Sequence, residues 1–361
     1  MVKSWLFEIF SYPYDPDPAK FDPQLCKELY DWKLDSWVAA EDLGFDGVFF
    51  SEHHFTPYSI SPSPNLLVAT LAQRTSRMQL GVMANITAFH NPRRLAEEGA
   101  MLDHLTGGRL EVGMGRGVDE PEFLREGVKM EETRGRFEES VALIQTAWKE
   151  PVWSYHGEYY HYDQVGIWPR PLRPELPIWV TALSPKTVSW AAQQNFKFTS
   201  VFSPTDEMRT IFEGYKKAAA EAGREAEPTE MGVCRNVFIA DSEQEARDLA
   251  EPAFDNLFAT FKEAAVFSDL DNVPAGYEHY QSFFRPFAGD SVSFDALVEI
   301  GAICVGTPQT VRDQIVSQVE TIGCGNFLLW GSFGNLTKDQ TMRSYQLYGE
   351  HVVPALQSLT V

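Results

Sequence analysis

MQLGVMANITAFHNPRRLAEEGAMLDHLTGGRLEVGMGRG, residues 78–117, reads as strand, helix, strand. The runs 78–84 and 109–114 are short and apolar, as strands covered on both faces are. Between them 92–105 carries a longer amphipathic pattern. A strand that returns to its sheet through a helix runs parallel to its predecessor. Outward from this unit the same alternation fills the chain. Further strands are expected at 5–11, 46–51, 177–182, 197–201, 232–239 and 326–330. Helices are expected at 24–43, 64–76, 134–148, 185–195, 206–222, 242–264, 308–322 and 338–356. Ser184-Pro185 and Thr307-Pro308 each place a capping hydroxyl before a proline at the first helical position. Eight such units in 361 residues favour a closed (β/α)₈ TIM barrel over an open doubly wound sheet, read as one domain spanning 1–361. Two stretches interrupt the rhythm: 150–176, an insertion before the fifth strand, and 266–300, a long loop of low periodicity. Loops of that length are uncommon unless disordered or functional, and because βα loops of a barrel open onto its active-site face, a lid is the sharper reading of 266–300.

Composition narrows the partners. The formal net charge of −21 repels phosphate backbones and anionic lipid, which disfavours nucleic acid and membrane surfaces. Cys26, Cys234, Cys304 and Cys324 show no C-x-x-C spacing, so neither a disulfide framework nor a zinc site is expected. No run of about 18 apolar residues appears, and the opening MVKSWLFEIFSYPYDPDP meets Pro and Asp too early for a secretion signal. The expectation is a cytoplasmic protein.

Three motifs stand at the ends of strands, where barrel enzymes place their chemistry. Glu52-His53-His54-Phe55 follows the second strand. A histidine there can exchange protons near neutral pH, or simply be structural. His53 and His54 point to opposite sides if the strand continues, so no metal pair is expected. Gly113-Met114-Gly115-Arg116-Gly117 follows the fourth strand. Val118 replaces the last glycine of a dinucleotide fingerprint, which leaves a tight turn, or a close backbone approach to a ligand with Arg116 beside it. Ser184-Pro185-Lys186-Thr187 opens a helix after the fifth strand and serves either as a plain cap or as an anion site. Phosphate-loop, nucleophile-elbow and paired-cysteine signatures are absent.

Taken together, GFDGVFFSEHHF (44–55), HNPRRLAEEGAMLDHLTGGRLEVGMGRG (90–117), IWVTALSPKTVSWAA (178–192) and VGTPQTVRDQI (305–315) resemble the bacterial luciferase-like, flavin-dependent monooxygenases. The resemblance implies a TIM barrel, His53 as the catalytic group, and Arg116 and Arg136 on the phosphate of FMN, with Ser184 and Thr187 beside them. It implies a non-prolyl cis peptide at Met83-Ala84 against the flavin ring. Met114 would stand where luciferase has its reactive cysteine, and Leu183 where it has a glutamate. It further implies reduced FMN delivered by a separate NAD(P)H:flavin reductase, O₂ captured as a flavin C4a-hydroperoxide, and a homodimer. The substrate would be an apolar or aromatic small molecule such as an aldehyde or ketone. Phe202, Trp330, Phe333 and the loop residues Tyr280, Phe283 and Phe284 are candidates for its pocket, and Arg285 for an anionic group on it. A deazaflavin-dependent dehydrogenase, or a flavin-binding relative without catalysis, are the alternatives.

Overall fold

A computed structural model describes residues 1–201, 203–264, 269–284 and 293–361. Among them are the strands β1 (Lys3–Glu8), β2 (Gly47–Phe50), β3 (Gln79–Ile86), β4 (Leu110–Gly115), β5 (Trp153–His156), β6 (His161–Val165), β7 (Ile178–Thr181), β8 (Lys197–Val201), β9 (Met231–Ile239), β10 (Ile303–Gly306) and β11 (Asn326–Trp330). Eight of them close a parallel ring in the order β1-β2-β3-β4-β7-β8-β9-β11, with β11 pairing back onto β1. Each ring strand falls on one of the eight runs expected from the sequence, and helices cover the outside. The fold is a (β/α)₈ barrel.

Closure depends on what fills the inside. Trp5, Phe49 and Trp179 are buried there, with Trp5 stacked on Phe49 at 4.8 Å and edge-on to Trp179 at 6.0 Å. Rings of that size fit because glycines face them. A Cβ on Gly81 would lie 2.6 Å from the Phe49 ring and 2.4 Å from the Glu111 carbonyl. The outer helices begin as their sequences dictate. Asp22, Asn91, Ser184 and Thr307 each accept a backbone N–H of the first turn, and Thr337 with Gln340 forms a capping box.

Four elements depart from the expectation. The 150–176 insertion contains an antiparallel hairpin, β5 on β6. The region 266–300 is more than loop: its described part includes the short helices Glu278–Phe284 and Phe294–Glu299. The strand β10 extends the wall where β8 ends, because β9 is long enough to pair with β8 through Met231–Cys234 and with β10 through Asn236–Ile239. A seven-residue helix, Glu120–Glu126, follows β4 and ends at Gly127, whose φ of 69° suits glycine. One or two turns show too little periodicity to be read from sequence. No described helix is long and apolar enough to cross a membrane.

Candidate active site

A cavity enclosing about 1280 Å³, its open mouth included, lies at the carboxyl ends of the ring strands. His53 lines it directly after β2. Its Nδ1 stands 3.0 Å from a carboxylate oxygen of Asp119 and 3.3 Å from Oε1 of Glu122. Both acids are buried and both come from the short helix after β4, Asp119 as its N-cap and Glu122 in its first turn. Glu122 Oε1 also accepts the His54 backbone N–H at 2.7 Å, which fixes the carboxylate against the strand end. Burial alone would push the His53 pKa down, but the hydrogen bonds and charges of Asp119 and Glu122 outweigh it and raise the value to about 10. The ring is therefore an imidazolium at neutral pH. Its Nδ1 is committed to the carboxylates, so Nε2 is the nitrogen left for a ligand.

The residues beside His53 form a second network. Glu52 is buried and accepts from His54 Nε2 at 3.0 Å, His90 Nε2 at 2.8 Å and the Ile86 N–H at 3.1 Å. This network braces the stretch from behind and leaves His53 to the cavity. His53, Asp119 and Glu122 also have the mutual spacing of a metal-ligand set, with donor atoms within 4.8 Å. A metal needs the neutral imidazole, whereas these acids favour the protonated one. Hydrogen bonding satisfies the cluster as it stands.

Elsewhere on the lining lies a cradle for an anion. Ser184 caps the helix Pro185–Gln193, accepting the Thr187 N–H at 3.3 Å and donating to Thr187 Oγ1 at 2.9 Å. Arg134 Nη1 donates to that same oxygen at 3.1 Å. Arg134 and Thr187 line the cavity. Arg136, the arginine expected on a phosphate, does not. It pairs with Glu132 at 2.9 Å and covers the Tyr159 ring at 4.8 Å. Two residues along a helix are about 200° apart around its axis, so Arg134 and Arg136 cannot share a face. Arg116 does line the cavity, with its guanidinium 3.7 Å above the Tyr277 ring and donating to the Gly276 carbonyl at 2.8 Å. The Tyr277 hydroxyl meets Thr133 at 2.8 Å, so the segment before helix Glu278–Phe284 is tied to the wall near the cradle.

Between these features the lining is apolar. Met83 and Ala84 line it and are joined by a cis peptide. Met114 is misplaced by the sequence reading: its side chain packs outward with Val82, Leu95 and Ile144 under the helices. Strand alternation is the reason, since Gly115, the next residue, faces the cavity. Trp330 and Phe333 are also corrected. They are buried in the inner core, Trp330 edge-on to Phe7 at 5.9 Å, and do not line the cavity. Tyr280 lines it. Phe202 and Arg285 lie outside the described residues, as do the side chains of Phe283 and Phe284. Asp119, Glu122, Arg134, Tyr58 and Phe261 are the lining or partner residues that sequence reasoning missed.

Residues 27–324 match the family described as luciferase-like monooxygenases. The chain belongs to this family. It is 27% identical over 349 residues to the oxygenase component of a flavin-dependent trigonelline monooxygenase from Acinetobacter baylyi, covering 94% of this chain and 93% of that one. It is 27% identical over 326 residues to the alkanal monooxygenase alpha chain of Photobacterium leiognathi, covering 89% and 91%. Among solved structures, the monooxygenase RslO1 from Streptomyces bottropensis superposes with a TM-score of 0.83 at 27% identity, over 98% of this chain and 99% of that one. A flavin-dependent monooxygenase needs a site for a phosphorylated, planar cofactor, and the cavity fits one. The Arg134–Thr187–Ser184 cradle supplies anion donors. Gly115 lines the cavity too, and a Cβ there would stand 3.0 Å from the Ala84 methyl group, tighter than an ordinary contact.

The family chemistry makes the His53 proton measurable. In Asp119→Asn one of two charged partners is gone, and the His53 pKa is expected to fall from about 10 toward the ordinary 6.5. Activity that requires the protonated ring should then decline above neutral pH in the variant but stay level in the parent. A pH profile of single-turnover rate reads this. Because the folded value is raised, the pairing stabilises the fold fully below pH 6.5 and ceases to as pH climbs through about 10.

Proposed function

We propose that this luciferase-like monooxygenase is the oxygenase half of a two-component system. It takes reduced FMN from a separate NAD(P)H:flavin reductase and uses O₂ to oxygenate an apolar or aromatic small molecule, such as an aldehyde or ketone. One observation carries the reading: a single cavity bears both an arginine–hydroxyl cradle on a helix N-terminus and a carboxylate-held imidazolium.

Arg134, Thr187, Ser184 and the N-terminus of helix Pro185–Gln193 would hold the FMN phosphate, with Arg116 in reserve on the same lining. The wall formed by Met83, Ala84, Gly115 and Val180 would take the ring system. Reduced flavin supplies the two electrons with which one atom of O₂ becomes water while the other enters the substrate. His53 then holds a proton on Nε2 for developing negative charge and can take one back when the product leaves. Asp119 and Glu122 keep that proton in place. Tyr58, Phe261 and Leu328 exclude water around it.

Purified protein given FMN and NADH is expected to show no turnover until a flavin reductase is added. Chemically reduced FMN should bypass the reductase. Steady NADH oxidation by the chain alone would overturn the two-component reading. Tight binding of a reduced deazaflavin with no oxygen uptake would overturn the choice of cofactor.

A further inference from the structure

Beside the barrel mouth lies a second opening, a groove of about 1190 Å³, its open mouth included, between the chain leaving β1 and the chain leaving β2. Tyr12, Phe21 and Tyr30 line one side, and Phe55, Pro57 and Ile60 the other. His53 is the residue common to this lining and that of the flavin-side cavity. The stretch 55–60 is the shared wall. Tyr58 faces the cavity, 5.0 Å from the His53 ring, while the residues around it face the groove.

The groove is preformed. The Tyr30 hydroxyl donates to the Ile60 carbonyl at 2.5 Å and so ties the two sides together. Tyr12 packs on Phe21 at 5.4 Å, and its hydroxyl accepts the Asp22 N–H at 3.1 Å. Two large aromatics stay in water around it: Phe21 is 51% exposed and Phe55 is 55% exposed. Phe55 also has a φ of 66°, a left-handed backbone that a bulky residue adopts only at a cost. The Arg125 guanidinium lies 5.7 Å from its ring centroid and the His54 ring 5.8 Å from it, and a ligand over the exposed remainder would add contact that these two do not supply. The charge at the rim selects among ligands. At the Asp15–Asp17 end of the rim the two acids share one cation, Lys20, at 2.8 and 4.0 Å, which leaves a surplus of negative charge there, while Arg125 stands over the Phe55 ring.

We propose that this groove is a substrate subsite for a flat aromatic ring system carrying no negative charge, whose oxidisable end passes His53 into the cavity. The proposal deepens the preceding reading and rests on it for the role of the cavity. The substrate would then be longer than the cavity alone accommodates, with a ring held by Phe21 and Phe55 and a carbonyl or similar group beyond it.

The neutral naphthyl ketone prodan is the probe, titrated by its own fluorescence into FMN-loaded protein. One saturable site is expected, weakened about tenfold by Phe55→Ala and likewise by Phe21→Ala, with FMN affinity unchanged in both. Anilinonaphthalene sulfonate, similar in shape but anionic, should bind far more weakly. Prodan affinity equal to the parent's in both variants would overturn the proposal, and so would displacement of prodan by FMN or the lack of a saturable site. Loss of the prodan site as the chain self-associates would assign the groove to a second copy and also overturn it. Should FMN itself not bind, the flavin reading falls, while prodan titrated into the protein alone still decides the groove.

Discussion

His53→Ala is expected to slow oxygenation by about 10²–10⁴-fold, the range in which a positioned acid–base group usually contributes, with FMN affinity nearly unchanged. The size follows from the position. His53 is the lining residue whose charge is set by two buried acids, and among the described lining residues there is no second imidazole, while the nearby His54 and His90 both bond Glu52. Single-turnover oxidation of reduced FMN with substrate present measures the rate, and hydrogen peroxide release measures uncoupling. A loss of product matched by a gain of peroxide supports the assignment. A melting temperature close to the parent's separates chemistry from misfolding. Full oxygenation by the variant would remove His53 from the mechanism.

Arg134→Ala should weaken FMN by about 10–150-fold, which corresponds to losing roughly 1.5–3 kcal/mol of charge-assisted hydrogen bonding. Arg136→Ala should leave the affinity within about twofold, because its guanidinium is spent on Glu132 and Tyr159 away from the cavity. Riboflavin isolates the cause. Lacking the phosphate, it should bind the parent and Arg134→Ala alike. Fluorescence titration with both ligands against the three proteins gives the full comparison. Equal FMN affinity in Arg134→Ala and the parent would place the phosphate elsewhere on the lining, with Arg116 as the next candidate.

The contrast between those two arginines shows where reading from sequence stops. TRGRFEES places both on one helix, and the two residues between them turn Arg136 to a face away from the cavity that Arg134 lines. Met114 failed in the same way, by one residue on a strand. Trp330 and Phe333 failed differently. A large aromatic at a strand end is chemically suited to a pocket wall or to a core, and only the packing against Phe7 and its neighbours decides. By contrast, the structure places His53 on the cavity lining just beyond β2, at the end of the barrel where the sequence pattern put it.

The sequence by itself determined the eight ring strands and the larger helices between them, the caps at Ser184 and Thr307, and the placing of His53, Arg116, Ser184 and Thr187 in the segments that follow ring strands. These depend on hydrophobic period and on residues a few positions apart, so they are written locally. Tertiary structure alone decided that Asp119 and Glu122 charge His53 from 66 and 69 residues away, that Arg134 rather than Arg136 joins Thr187, and that two openings meet at one imidazole. Each of these depends on which side chains converge when the ring closes, and convergence leaves no periodic trace along the chain.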